Sequence, residues 1–392
     1  MLTHHIQPSG DPHSGTRGQV LAIGAILFIG LISMGALLLE GGNAFAQQRV
    51  TQNGSDAAAN AGALVLAQRL GGVSKADADV LAAVTSITGT NGLSAFAANY
   101  TDVRGAALDA SGAVASISGN PAATVGGGSI PANSQGVAVR GTKSFGTVLA
   151  RAIGINSFDA TADATAVTGR VVGGAFLPVV FPVSISDCDG SGGLTPPFTQ
   201  DMWAISNPPA SGSLYPDGTE YIIPLCKTNT SGSGGGSFQI LDLDPALSCL
   251  EETQTPPFIE WTTFPVDVPV DNGNNCAKPI ADAVMANLRL KPILIPFCDS
   301  QCIPSGNGSN AVYHITGVAA FYIDYMDDTN NKNNTMCNRA TSPYSGQPLT
   351  NIIGGNGSSS CVVGWFIEFI TAGPVGSGTV RNGEAIGVQL IK

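Results

Sequence analysis

Residues 20–39 read VLAIGAILFIGLISMGALLL, a run without a single charge in which Gly24, Gly30, Ser33 and Gly35 are the only members that are not plainly apolar. As a helix rising about 1.5 Å per residue, this run matches the roughly 30 Å hydrocarbon core of a bilayer. The reading is a single transmembrane helix, and every later segment is placed relative to it. Arg17 precedes the run with no acid in between, His4, His5 and His13 add partial charge, and Asp11 counts little under the positive-inside rule. Glu40 and Arg49 follow it. The mild basic bias puts residues 1–19 in the cytoplasm and the long remainder outside it. A rival reading starts from Ala44-Phe45-Ala46, which has the small-x-small form of a signal-peptidase site and would release a chain beginning at Gln47. The apolar core exceeds the roughly 7 to 15 residues of a signal peptide, and the charged Glu40 intervenes, so an uncleaved anchor is expected.

The cysteines point to the same side of the membrane. Cys188, Cys226, Cys249, Cys276, Cys298, Cys302, Cys337 and Cys361 all lie in the second half, and an even number in an exported region reads as a disulfide framework of open connectivity. Metal binding is the alternative, but no Cys-x-x-Cys pair exists and His314 is the only histidine after residue 13, so zinc spacing is missing. The 392 residues suffice for two domains beyond the membrane. A net charge of −11 argues against nucleic acid or anionic lipid as a partner, since both require a basic surface. Only 11% charged residues with 50 glycines is the texture of a surface β-protein more than of a cytosolic enzyme.

Past the apolar run the chain stays helical in character. An alanine-rich stretch runs from Asp56 to Ala67, and Gly71-Gly72 closes it. Ala57, Ala61, Leu64 and Ala67 recur at helical spacing with Asn53, Asp56 and Asn60 beside them, which predicts a weakly amphipathic helix packed on its own domain. Arg17-Gly18-Gln19, the apolar span, Glu40, Gly41-Gly42, Gln47-Gln48-Arg49 and the block Gln52-Asn53-Gly54-Ser55-Asp56-Ala57-Ala58-Ala59-Asn60-Ala61 follow one another in that order. Over residues 17–70 this resembles the N-terminal segment of TadG-like proteins of the Tad (tight adherence) Flp-pilus-assembly system. The resemblance implies a bacterial single-span envelope protein with a structural role in assembling or anchoring adhesive pili, its partners being the membrane and other pilus-assembly or envelope proteins. Pilins and pseudopilins of that system resemble one another in a cleavage glycine followed by Glu at the fifth mature position; here Ile23 stands there after Gly18, which argues against prepilin processing. Some TadG-like proteins carry an Asp-x-Ser-x-Ser metal loop. Asp109-Ala110-Ser111-Gly112-Ala113 breaks that pattern.

Asp77, Asp79, Leu81 and Ala82 predict a short helix before Thr88-Gly89. Residues 113–117, 136–140 and 160–167 then alternate small apolar with polar residues, the period of strands, and residues 145–153 read as a helix between them. In the second half, strand-like runs occupy residues 176–183, where prolines confine the run to an edge, and 221–225, 292–297, 313–325 and 361–370. Tracts 230–237 and 306–310 read as loops. The expected organisation is a cytoplasmic N-terminus (1–19), a transmembrane helix (20–39), a helical stalk (40–100), a small α+β unit (101–175) and a mainly-β, cysteine-containing domain (176–392).

Signs of catalysis are sparse. His314 sits in a strand-like run on one face with Thr316, the setting of a structural histidine, and neither Gly-x-Ser-x-Gly nor His-Glu-x-x-His occurs. The adjacent acids Glu251-Glu252 and Asp327-Asp328 are the obvious carboxylate pairs for an envelope hydrolase, although such pairs are usually solvated surface. Asp324, Asp327, Asp328, Asn330, Asn331, Asn333 and Asn334 offer oxygen ligands of the kind calcium takes; Lys332 and Asn333 break the EF-hand spacing, and Asp187-Cys188-Asp189-Gly190-Ser191 is a weaker case. The expectation is a non-enzymatic, membrane-anchored component of pilus assembly or presentation without cofactor, with a surface adhesin released after Ala46 and a carboxylate-pair hydrolase as alternatives.

Overall fold

The structure is a computed structural model and describes residues 14–116, 120–182, 184–185, 198–225, 240–261, 263–271, 276–298, 305, 311–328, 336–351 and 360–391. It opens with one continuous helix, α1 (Ser14–Leu70), of 57 residues, about 85 Å at helical rise. None of the apolar stretch near the start of α1 is buried. From Thr51 onward a second regime begins, in which Thr51, Ser55, Ala58, Ala59, Ala63, Leu66 and Ala67 are buried. Of the Ala57, Ala61, Leu64, Ala67 stripe expected from the sequence only Ala67 is on the buried face; Ala57 and Ala61 are half-buried and Leu64 is exposed. Size explains the shift: a Cβ at Gly62 would sit 3.0 Å from Val137 and 3.1 Å from Val84, so the face made of the smallest residues lets α1 approach a sheet and a second helix at once. Gly72, at φ 95°, takes the left-handed turn that ends the helix.

Helix α2 (Asp77–Thr90) lies against α1 and is held at its start by Asp77, whose carboxylate accepts the Tyr100 hydroxyl at 2.6 Å and the Gly126 and Gly128 N–H groups at 2.9 and 2.7 Å. Strands β1 (Ala95–Thr101), β2 (Gly136–Gly146) and β3 (Ser157–Val171) form an antiparallel meander under α1, with β2 and β3 paired from Gly136↔Val167 to Gly146↔Ser157. Residues 40–100, expected as a stalk, are thus the remainder of α1, then α2 and an edge strand, largely packed on a sheet. The helix expected over 145–153 is instead the end of β2, where Phe145 pairs with Phe158, and a single 3-10 turn over Ala150–Ile153. Of the strand expected over 113–117 the described residues keep one bridge, Leu108↔Val114.

The chain then leaves through β4 (Gly173–Ala175), β5 (Phe181–Pro182), β6 (Ser184–Ile185) and β7 (Phe198–Thr199) to β8 (Glu220–Pro224). Helix α3 (Cys249–Gln254), β9 (Phe258–Glu260), β10 (Val266–Pro269), helix α4 (Ala277–Ala283), β11 (Pro292–Cys298), β12 (Val312–Asp328), β13 (Leu349–Asn351) and β14 (Ser360–Phe366) follow. The second sheet runs β13-β8-β14-β12-β11-β5, with β10 also paired to β12. Its spine, β12, is apolar on both faces. Ala319, Phe321 and Ile323 enter one core with Trp203, which stacks on Phe366 at 3.9 Å, while Val318, Ala320 and Tyr322 enter the other. The loops expected at 230–237 and 306–310 lie outside the described residues.

The chain closes by returning to the first sheet. Strands β15 (Ile370–Ala372), β16 (Val375–Gly376) and β17 (Ile386–Leu390) extend it as β1-β2-β3-β17-β15, with β16 on β3. The two sheets meet at Arg170, near the end of β3, which donates to the Thr316 carbonyl of β12 and to Glu384 at 2.7 Å, and whose guanidinium lies 4.7 Å from the Phe264 ring centroid. The fold is therefore a long N-terminal apolar helix followed by mixed sheets, with disulfides in the C-terminal region.

Candidate functional site

Three groups of residues were singled out by the sequence: the α1 motif, the carboxylates and the cysteines. In the motif, the side chains of Arg17, Gly18 and Gln19 lie outside the described residues and Asn53 is exposed. The others act together. Glu40, one residue past the apolar run, accepts the backbone N–H groups of Val148, Leu149 and Ala150 at 2.7, 2.6 and 3.0 Å. Those N–H groups, Ala150's foremost, hold its carboxyl below the ordinary glutamate range. Further along, the Gln48 side chain donates to the Thr161 carbonyl at 2.7 Å, Gln52 to the Asp56 carboxylate at 2.7 Å and the Asp163 carbonyl at 3.3 Å, and Ser55 to the Ala162 carbonyl at 3.1 Å. The polar residues of the motif thus grip the backbone of the β2–β3 hairpin. The helix and β3 run side by side in the same direction, and the hairpin tip sits level with the end of the apolar run.

The carboxylate pairs adjacent in sequence do not converge. Glu251 forms a capping box with Ser248 at the start of α3, whereas Glu252 is buried and accepts the Asp244 N–H at 2.6 Å. Burial, aided by Asp242, pushes Glu252 up to about 7 against the Asp244 hydrogen bond. Asp327 accepts the Met336 N–H at 2.7 Å, and Asp328 accepts the Ser360 hydroxyl.

The convergence that does exist joins residues distant in sequence. Asp324, at a register shift of β12, accepts the Ser342 hydroxyl at 2.5 Å and lies 3.3 Å from the Arg289 guanidinium, itself 4.3 Å from the Tyr344 ring centroid. Glu220, opening β8, accepts the Ser345 hydroxyl at 2.5 Å. Burial pushes Glu220 upward, and the neighbouring Asp324 adds to this against the Ser345 hydrogen bond. Both carboxyls are fully buried. The Ser342 hydroxyl on Asp324 and the Ser345 hydroxyl on Glu220 tie residues 342–345 to the sheet. Sequence adjacency gave no sign of this pair; the one trace was a glutamate heading the apolar run Glu220-Tyr221-Ile222-Ile223.

Candidate ligand sets disperse in the same way. Asp109 accepts the Ser111 N–H and hydroxyl at 2.9 and 2.6 Å, the Ala113 N–H at 3.1 Å and the Asn120 amide at 2.8 Å, so the loop itself occupies both oxygens. His314 pairs across strands with Asp267 at 2.7 Å on an exposed face. Asp324, Asp327 and Asp328 engage three different partners, and the remainder of that amide-rich stretch, like residues 187–191, lies outside the described residues. Cys249, Asp271 and Cys276 place ligand-type atoms within 4.8 Å of one another, but the two sulfurs are bonded to each other and offer no thiolate.

Cys249 pairs with Cys276 and Cys337 with Cys361, and Cys298 is also disulfide-bonded. The first bridge ties α3 to the start of α4; the second ties β14 to the turn at Met336–Asn338. Among the described residues no cysteine is free. Cys188, Cys226 and Cys302 lie outside the described residues. No family model, no curated protein and no solved structure matches this chain.

Proposed function

We propose that this chain is a bacterial envelope protein anchored by a single N-in transmembrane helix. It carries a disulfide-bonded, two-sheet body outside the cytoplasm and acts through protein contacts in the assembly, anchoring or presentation of a Tad/Flp-type adhesive pilus. One observation carries the anchoring: a single helix has an apolar stretch of which none is buried and, beyond it, a stretch built into a core. An apolar surface of that extent is unfavourable in water and is satisfied by lipid. The disulfides support an oxidising compartment for the body.

The pilus assignment rests on the TadG-like order of residues 17–70. Its Glu40 and Gln52 bond the hairpin backbone, and Asp56 accepts from Gln52 within α1, which gives that motif a structural purpose. Release after Ala46 would cut α1 in mid-helix and remove Glu40 from the hairpin tip, which favours the uncleaved chain. Full enclosure of Glu220 and Asp324 favours a structural over a hydrolytic role for that pair. The test is deletion in the source cell: loss of surface Flp-type pili, restored by the full-length chain and not by one starting at Gln47, is expected. Unchanged piliation would overturn the assignment.

A further inference from the structure

We propose that the tip of the β2–β3 hairpin, residues 147–156, is a second membrane contact that seats in the headgroup and upper acyl region of the bilayer beside α1. The inference rests on the reading of α1 as membrane-spanning and adds a surface to it. Position is the first argument. Glu40 directly follows the apolar run, and its carboxylate accepts three N–H groups of the tip, so the tip lies at the level where the helix leaves the hydrocarbon. β3 then runs outward along α1, as the Gln48 and Gln52 bonds show.

Composition is the second argument. The tip reads Thr-Val-Leu-Ala-Arg-Ala-Ile-Gly-Ile-Asn, with one base and no acid, in a chain of net charge −11. Val148 is 64% exposed, Leu149 37% and Ile155 41%, and Phe158 at 41% and Phe45 at 77% add two aromatic rings just beyond. Together they make an apolar collar around the exit of the helix, the arrangement interfacial segments use when they bury about 5–10 Å deep. Arg151, exposed in the same turn, is placed to meet lipid phosphate.

The backbone supplies the third argument, because a segment entering low-polarity surroundings must satisfy its own polar groups. Val148, Leu149 and Ala150 give their N–H groups to Glu40, Thr147 N–H goes to the Asn156 carbonyl at 3.2 Å, and the Thr147 hydroxyl to the Ile155 carbonyl at 2.5 Å. Gly154 and Ile155 N–H groups go to the Arg151 and Ala150 carbonyls at 3.0 and 3.1 Å. Exposed apolar side chains at Val148, Leu149 and Ile155 with bonded N–H groups at residues 147–150, 154 and 155 are the build of a membrane-seated turn.

The experiment uses the full chain in vesicles of zwitterionic and anionic phospholipid with brominated acyl chains, which quench tryptophan on contact. Val148→Trp and Ile155→Trp probe the tip, Leu37→Trp the span and Leu214→Trp the far body, each read against the parent with its own three tryptophans. Quenching of both tip probes to nearly the extent of Leu37→Trp, with Leu214→Trp unquenched, is expected. Quenching at Leu37→Trp alone overturns the tip contact and leaves the span intact. Blue-shifted but unquenched tip probes also overturn it, since protein then covers the tip. No quenching at Leu37→Trp overturns the span itself and the tip contact with it.

Discussion

Glu40 is a single side chain that fixes the position of a distant hairpin, so its removal has a local signature. Glu40→Ala leaves the amides of Val148, Leu149 and Ala150 without their acceptor, and hydrogen–deuterium exchange at those three is expected to accelerate while the α1 and β3 amides keep their protection. Unchanged exchange at the tip would contradict the contact. The buried acids have a pH signature. Glu252, raised from 4.5 to about 7, and Glu220, also raised, hold protons in the fold that the unfolded chain has released. Their contribution is complete below the unfolded value and is lost as pH rises through the folded one. Asp77 is lowered, because hydrogen bonds from Tyr100, Gly126 and Gly128 outweigh its burial, and Asp109 is lowered chiefly by Ser111. Their contribution is lost as pH falls below the ordinary aspartate range. The Tm is therefore expected to be highest at about pH 5 and to decline toward neutrality; a Tm that climbs steadily to neutral pH would contradict these assignments.

At the scale of elements, α1 works as one rod with two surfaces. Its inner surface is made of small residues, and substituting Gly62 tests how close the approach is. With Val137 and Val84 about 3 Å from the site of a Cβ, Gly62→Leu is expected to destabilise the body by about 1–3 kcal/mol in denaturant unfolding, without loss of helicity in the apolar half. A neutral effect would mean that the helix and sheet are not in contact there. The same feature explains what the sequence concealed. The apolar run, α2 and the strands β2, β3, β11 and β12 were legible, because each is a local run with its own periodicity or uniform character. The buried face of α1 was not, because hydrophobicity points to Leu64 whereas close packing selects Gly62 and Ala63. The hairpin tip has the local look of a helix because Val148, Leu149 and Ala150 are contiguous and apolar. The pairing of β16 and β17 with β3 joins residues some two hundred positions apart and leaves no local mark. Acid pairs show the same limit: adjacent Glu251 and Glu252 separate, while Glu220 and Asp324 meet.

At the scale of the whole molecule, the two sheets are joined by charge as well as by chain. Arg170 reaches Thr316 and Glu384 from β3, and both partners of the ion pair are largely buried. Arg170→Met strands Glu384 and is expected to cost about 3 kcal/mol, read as a lower denaturant midpoint for the whole body. Separate unfolding of the two sheets in the parent would contradict the joint. The larger claim is that this body is held outside the cytoplasm by the exposed half of α1. The most direct measurement is the intact mass of the chain from its own cells, in alkali-washed membranes and in the medium, with thiols alkylated before or after reduction. The full-length chain is expected in the membrane, alkylated only after reduction. A chain starting at Gln47 in the medium would contradict the anchor, and cysteines alkylated without reduction would contradict the placement outside the cytoplasm.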